Sequence, residues 1–264
     1  MLCAHRAAVN GAQLDEINER IVIRGTESGA GKGTVTAVST GRGDGSRITG
    51  RRRESLEAQV RFAMDIRKRD MQERAELLES VFAWAAAAEG GTLTFGHKPG
   101  RRLRVDEVET PGEGDVWKWL DEYTITFRAR AVPYWEQENA ISAQTATGTS
   151  QSGAITVAGS AETVANVTIE NMSGAVINTM TVTIGGKSMA FEGLGLGAGQ
   201  SLIVDHTRTN GRYIQRIRIG TQSVMAKRTS ASADEFIINP GSVSFSFSAQ
   251  RACRLTVSCR GRYL

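Results

Sequence analysis

The sequence predicts a mainly β protein of the α+β class, made of two modules. In residues 1–136 one amphipathic helix lies among strand-like runs, without the regular alternation of strand and helix that marks a parallel sheet. Beyond residue 155, short runs rich in Thr, Ser, Val and Ile follow one another between turns, as in a β-sandwich. All four tryptophans precede residue 136, so the chain changes character there.

These observations predict an N-terminal antiparallel β domain with one helix over residues 1–136 and a C-terminal β-sandwich over residues 156–264. Residues 137–155 are small and polar and show no usable period, which is typical of a linker. A chain of 264 residues is long enough for two domains that each bury a core.

In the first module, apolar and polar residues alternate from Leu56 to Ile66, which predicts a half-buried strand. Asp70 and Glu73 have the spacing of a capping box, and apolar residues then recur at helical spacing as far as Ala88. Gly90-Gly91 ends the pattern. The width of the apolar stripe predicts a helix that packs on a sheet.

Other strands are expected in this module at Ile21–Ile23, Thr92–Phe95, Leu103–Val108 and Val116–Ala131. Residues 25–50 contain eight glycines, too many for a helix, and predict a long loop or a flared hairpin. Aromatic residues of this module are expected in the core or at subunit contacts, and the candidates are Phe62, Phe82, Trp84, Trp117, Trp119, Phe127, Tyr134 and Trp135.

Seven short strands are expected in the second module. They are Thr163–Ile169, Thr179–Ile184, Lys187–Phe191, Ser201–Asp205, Tyr213–Ile219, Ser242–Phe247 and Arg254–Ser258. Gly185-Gly186 between two of them predicts a two-residue hairpin. Phe245 and Phe247 are two residues apart, so they share a face and are expected in the core.

The composition argues against a membrane or secreted protein. No apolar run approaches the ~20 residues of a membrane-spanning helix, and the N-terminus lacks the order of a signal peptide, so we expect synthesis in a cytoplasm and no membrane insertion. Cys253 and Cys259 lie six residues apart in one strand-like run, about 20 Å at about 3.3 Å per residue, and so cannot form a disulfide.

Charge does not predict nucleic-acid binding. Residues 1–136 hold 21 basic and 21 acidic residues, and residues 137–264 hold 11 and 7, so the excess of +4 is small and dispersed. Binding to nucleic acid normally needs a clustered basic stripe. Arg51-Arg52-Arg53 is such a cluster, but Glu54 and Glu57 follow it, which favours a solvated turn.

Two motif-like strings have ordinary structural explanations. Residues 29–34 (Gly-Ala-Gly-Lys-Gly-Thr) are similar to a phosphate-binding loop, but Thr26 and Gly33 stand where that motif needs Gly and Ser or Thr, and a strand-like run follows instead of a helix. Residues 42–44 (Arg-Gly-Asp) match a tripeptide of integrin ligands, but Gly-Asp-Gly is common in turns.

No catalytic or metal site is expected. His5, His97 and His206 are far apart and lack metal-ligand spacing, so solvated imidazoles are the expectation. The carboxylates at positions 106, 107 and 109 cluster beside a turn, where a solvated edge is favoured over a hydrolytic pair. We therefore predict no enzyme activity and no cofactor.

The first module resembles the distal tail protein, or tail-tip hub, of long-tailed siphophages over roughly residues 10–136. The features that carry the resemblance are the order and spacing of the strand Leu56–Ile66, the helix Asp70–Ala88, Gly90-Gly91, the strands Leu93–Phe95 and Arg101–Val105, and the closing Tyr123–Phe127 with Pro133–Trp135.

The resemblance implies a virion structural protein at the distal tail tip, whose N-terminal domain forms a homo-hexameric ring. The ring would lie between the tail tube protein and the tail-associated fibre or spike protein, with DNA passing through it as cargo. A C-terminal β-sandwich, galectin-like or similar to a carbohydrate-binding module, would project outward and hold a receptor-binding protein or contact a cell-surface glycan.

Two other classes remain open. A carbohydrate-binding adhesin is the main alternative, although the second module has no Trp, which leaves Tyr213 and Tyr263 as stacking candidates. An enzyme is the third class, and it would need an acidic pair or a Ser-His pair to converge in one pocket.

Overall fold

The structure is a computed structural model that describes residues 6–29, 31, 33–39, 46–65, 71–111, 122–209 and 212–264. The chain divides into two compact units, and the division falls between Glu136 and Gln137. The fold is mainly β with curled antiparallel sheets, as predicted, and the described residues contain one α-helix.

The elements of the first unit follow in chain order. They are β1 (Ala7–Val9), β2 (Ala12–Gln13), β3 (Ile21–Ser28), β4 (Gly33–Ser39), β5 (Ser46–Arg53), β6 (Leu56–Met64), α1 (Met71–Ala86), β7 (Thr92–Phe95), β8 (Arg101–Arg104), β9 (Glu107–Glu109), β10 (Tyr123–Ala129) and β11 (Trp135–Gln137). One sheet has the order β2-β1-β7-β8-β11, a second has the order β3-β6-β10-β9, and β4 pairs with β5.

The alternating strand at the centre of the second sheet is present as predicted. On β6 Leu56, Ala58, Val60 and Phe62 are buried, while the residues between them are more exposed. The facing strand β10 buries its own alternate residues, and Phe62 stacks on its register partner Tyr123 with ring centroids 5.5 Å apart. One face of this sheet therefore forms the core of the unit.

One large side chain of the helix, that of Trp84, contacts both sheets. Trp84 donates its indole N–H to the carbonyl oxygen of Ala12 in β2, at 2.8 Å, and its ring meets Phe127 of β10 edge-on, with centroids 6.0 Å apart. Leu78 and Val81 are fully buried on the same face. The predicted range ended at Ala88, two residues past the helix, and Asp70 lies outside the described residues.

The second unit is built on one large antiparallel sheet. Its strands are β12 (Ile141–Gln144), β13 (Gly148–Val157), β14 (Thr163–Val164), β15 (Asn166–Asn171), β16 (Met180–Ile184), β17 (Lys187–Phe191), β18 (Ser201–Thr209), β19 (Arg212–Ile219), β20 (Gln222–Ser223), β21 (Ile237–Ile238), β22 (Gly241–Cys259) and β23 (Arg262–Tyr263). The order is β17-β16-β22-β15-β18-β19-β20, β12 and β13 also pair with β22, and β14 pairs with β21.

Strand β22 joins the two halves of this sheet. Its first half pairs with β13 and β16, and its second half pairs with β12 and β15. The buried faces of both halves contribute to one apolar cluster that includes Phe245, Phe247 and Leu255. The sheet thus curls around a single core, and Phe245 and Phe247 lie in it as expected.

Four expectations about element bounds differ from the described structure. Residues 137–155 are not a linker, because most of them form β12 and β13, whose polar residues lie on exposed sides of the sheet. The expected strand Leu103–Val108 is divided into β8 and β9, and Arg51–Arg53 end strand β5 instead of forming a turn. The described part of the expected strand Val116–Ala131 is shorter, Tyr123–Ala129.

Candidate assembly interface

A two-stranded arm extends from the second sheet of the first unit. Strands β3 and β4 run out along one side of a long hairpin, and β5 and β6 return along the other. The inner pair, β3 and β6, belongs to the sheet, whereas β4 and β5 pair only with each other. At about 3.3 Å per residue, the seven residues of β4 reach about 23 Å.

The described side chains of β4 are open to solvent. Residues 33–37 are all exposed, and Val35 retains 53% of its accessible surface. The strands contain four arginines, all in β5, and no acidic residue. An isolated two-stranded hairpin is at best marginally stable in water, so an arm of this kind needs a surface that covers it.

The base of the arm is held by polar contacts. The guanidinium of Arg53 donates to the carbonyl oxygen of Gly31 at 3.4 Å and lies 5.6 Å from the centroid of the Tyr134 ring. The hydroxyl of Thr34 donates to the carboxylate of Glu54 at 2.6 Å. These contacts fix the direction in which the arm leaves the sheet, and they give Tyr134 a position at its base.

The other aromatic candidates lie mostly in the core. Phe62, Trp84, Phe127 and Trp135 are buried, and Phe82 is half-buried on α1. Trp117 and Trp119 lie outside the described residues. The described members of the set therefore supply packing within the unit, with Tyr134 alone beside the arm.

Trp135 lies in a small cluster of its own. Its ring centroid is 5.2 Å from that of Phe95, and Nζ of Lys98 lies 4.9 Å from its centroid. Burial lowers the pKa of Lys98, and the nearby charge of Arg101 lowers it further. The contact between the Lys98 ammonium and the Trp135 ring is a cation–π interaction, which accounts for a basic side chain beside a buried indole.

The outward face of the second sheet, β3-β6-β10-β9, carries cross-strand ion pairs. Arg128 donates to Glu57 at 2.9 Å, to Glu107 at 3.0 Å and to Glu109 at 2.6 Å. The hydrogen bond from Arg130, followed by that from Arg128, lowers the pKa of Glu107. The two β9 carboxylates expected at a solvated edge, Glu107 and Glu109, therefore link neighbouring strands through ion pairs.

Asp106 has a comparable structural use. One of its carboxylate oxygens accepts from the backbone N–H groups of Arg130 and Ala131, at 2.7 and 2.9 Å.

Among the described residues, no group of three or more His, Cys, Asp or Glu could hold a metal ion. No helix in the described part of the chain is long and apolar enough to cross a membrane.

His97 is exposed, as expected, whereas His206 is less solvated than expected. His97 stacks on Phe95, with centroids 5.3 Å apart, and its Nδ1 lies 3.0 Å from the hydroxyl of Thr26. His206 lies half-buried at the end of a core-facing row of β18, and burial lowers its pKa. Sequence context did not show the partial burial of His206, because the residue that contacts its ring, Asn166, is distant in sequence. His5 lies outside the described residues.

The second unit contains one feature that the sequence did not indicate, a cleft of about 540 Å³. Its lining residues come from separate segments of the chain: Lys187, Gln215, Met225, Arg228, Ala233, Asp234, Glu235 and Ile237.

Cys253 and Cys259 are free and buried in β22, and burial raises the pKa of each thiol to about 11. Such thiols are poor nucleophiles at neutral pH.

The geometry defines a two-unit, mainly antiparallel β protein with a two-stranded arm whose strands pair with no further strand among the described residues. No protein-family model matches the sequence, and no curated protein matches it significantly. The crystal structure of the Dit protein of phage SPP1, described as a paradigm of the hub adsorption apparatus in phages infecting Gram-positive bacteria, does match. The match covers 98% of this chain and 99% of that chain, with a TM-score of 0.68 and 15% identity.

The chain therefore has the fold of a phage distal tail hub protein, as the resemblance of its first module predicted. Two structures of the phage P2 baseplate in its activated conformation, one with Ca and one with Sr, are also similar. Each covers 92% of this chain and 91% of the other at 11% identity, with TM-scores of 0.43 and 0.42.

Proposed function

We propose that this chain is a structural subunit of a phage tail, which forms a hexameric hub at the distal end and joins the tail tube to the tail-tip or baseplate proteins. The observation that carries the proposal is the extent of the match to SPP1 Dit, which includes both units and nearly the full length of each chain. If the two proteins shared only one module, the match would not extend over the other unit.

The arm supports self-association. Its strands β4 and β5 have no further strand partner among the described residues, and Val35 lies exposed on it. A neighbouring subunit would cover this surface, and cyclic association of identical chains closes when each copy offers the arm and receives one. The contacts at Arg53 and Tyr134 would present the arm in one direction to each neighbour.

The remaining parts of the proposal follow from the hub position. The ring would contact the tail tube protein on one side and the tail-associated fibre or spike protein on the other, and DNA would pass through it as cargo. The second unit would meet host-recognition proteins or a cell-surface glycan. The subunit would act at the virion tail tip without catalysis or a cofactor. Nothing in the comparisons favours the adhesin alternative.

Light scattering of the purified chain, followed by negative-stain imaging, tests the ring. We expect particles of six times the 28.4 kDa subunit mass and six-fold rings. A monomer at every concentration, which stays monomeric after addition of the tail tube protein, would contradict the hub.

Shortening the arm tests its role in the ring. Gly33 and Arg53 are register partners, so residues 34–52 can be replaced by Asn-Gly, a two-residue hairpin turn that preserves this pair. We expect a folded subunit that no longer forms rings. The matched control keeps the full arm and replaces Gly174 of the second unit, which lies in open space, by Ala, and it should still form rings. A shortened chain that still forms six-fold rings would exclude the arm as the ring contact.

A further inference from the structure

The cleft in the second unit has no part in the proposed ring and is already shaped without a partner. Gln215 lies on β19 and Lys187 at the start of β17, while Met225 belongs to a short 3₁₀ turn, Met225–Lys227. The segment 228–237 forms the remaining wall. Four separate parts of the unit thus converge on one opening.

Hydrogen bonds hold these walls in place. Arg228 donates to the carbonyl oxygen of Ala233 at 3.1 Å and to the carboxylate of Asp234 at 3.0 Å, which folds the segment back on itself. The backbone N–H of Val224 donates to the carbonyl oxygen of Ile217 at 2.9 Å and fixes the 3₁₀ turn to β19. Because Arg228 is engaged in this way, it serves the wall and is not free for a ligand.

One polar atom of the cleft lining has no hydrogen-bond partner in the described part of the chain. The side-chain nitrogen of Gln215 is buried and has no acceptor within the described residues. A buried donor without an acceptor costs stability, so a ligand relieves that cost if the Gln215 side chain turns toward the cleft and meets an acceptor there. Lys187 and Glu235 form no salt bridge within the described part of the chain, and they bring opposite charges to one cleft.

The rest of the lining is apolar and adaptable. Met225 keeps 37% of its surface exposed, and Ile237 and Ala233 are half-buried beside it. Methionine fits varied apolar groups and is common on surfaces that bind peptides. Among the lining residues that the structure describes, none is aromatic, so these residues offer no flat face on which a sugar ring would stack.

We propose that this cleft binds an extended peptide segment of a partner protein. An apolar side chain of the peptide contacts Met225 and Ile237, and a backbone carbonyl oxygen accepts from Gln215. An acidic residue on one side of the apolar residue meets Lys187, and a basic residue on the other side meets Glu235. The inference rests on the proposed function in one respect, since a tail-tip protein is the partner that a hub would offer.

A displayed library of random seven-residue peptides, selected on the full chain, tests the proposal. We expect enrichment of an apolar residue flanked by opposite charges. In the double variant Lys187→Glu/Glu235→Lys the order of the two charges in the selected peptides should reverse. The matched control, Lys227→Glu/Glu192→Lys, exchanges two charges of the same unit that do not line the cleft, and it should select the original order.

The Gln215→Leu variant separates binding from folding. It removes a buried donor that has no acceptor, so the thermal midpoint of the free protein should rise while affinity for a selected peptide falls about fivefold to tenfold. A fall in both would mean that Gln215 is merely structural and would overturn its assigned role. The fold of each charge variant is checked by its thermal midpoint.

Three results would overturn the proposal. They are no enriched motif, a motif that does not reverse in the charge-exchanged variant, and binding on a glycan array that the same exchange abolishes. Light scattering on the same samples keeps the hub question separate. If the chain forms hexamers but selects no peptide motif, the peptide site is rejected and the hub is not. If the chain selects a motif but never assembles, the hub is rejected and the peptide site is not.

Discussion

Replacing Trp84 by Phe should detach the helix from part of its support in the first unit. Trp84 is 7% exposed, its N–H is bonded to Ala12 and its ring meets Phe127. The smaller ring leaves about 40 Å³ unfilled, which at about 24 cal/mol per Å³ costs about 1 kcal/mol. The hydrogen bond to Ala12 is also lost, and because Ala12 is exposed and water can replace the donor, this costs a further ~0.5–1.5 kcal/mol.

The expected loss is therefore about 1.5–2.5 kcal/mol in the free energy of unfolding of the first unit. Urea unfolding measured by circular dichroism gives this value from the shift of the midpoint at constant slope. Phe82→Leu is the control, because Phe82 is half-buried on the same helix and the substitution should cost less than about 1.5 kcal/mol. If Trp84→Phe costs no more than Phe82→Leu, the indole does not hold the helix to the two sheets.

Two other predictions concern the second unit. A Cβ at Gly153 would lie 2.6 Å from the ring of the buried Phe245, so Gly153→Ala should cost about 1–3 kcal/mol, while Gly174→Ala, in open space, should change the unfolding free energy by less than about 0.5 kcal/mol. Equal effects in thermal melts would show that the contact yields. Folding raises the pKa of Cys253 and Cys259 from 9.0 to about 11, so the unfolded chain loses these protons first and stability falls between pH 9 and pH 11. The double Cys→Ala variant should lose less stability across that range, and parallel pH profiles would contradict the argument.

Local patterns predicted much of the fold because burial and periodicity coincide there. The alternation from Leu56 predicted β6, and the stripe through Leu78 and Trp84 predicted α1. Residues 137–155 were misinterpreted because β12 and β13 carry mostly exposed polar residues, which in composition resemble a linker. The glycine-rich segment was predicted as a loop or flared hairpin, and the structure has the second of these.

The site could be predicted only in part. The sequence indicated an arm but not its base, since Arg53 and Tyr134 are separated by many residues and no local pattern relates them. The cleft was missed for the same reason, because Lys187, Gln215 and Glu235 meet only after the sheet has curled. Taken singly, these three polar residues form no sequence motif that would indicate a cleft. Phe62 and Phe127 were assigned to the core or an interface, and the structure buries both.

Strand β22 also determines when the second unit can form during synthesis. Strands β12, β13, β15 and β16 all pair with it, yet it is made after every one of them. The emerging chain must therefore hold these segments without their main partner until Gly241–Cys259 has left the ribosome. Contacts so distant in sequence form slowly, and they leave strand edges open while they wait. A chain interrupted before this strand would lack a closed second unit and could be degraded before it reached an assembling tail.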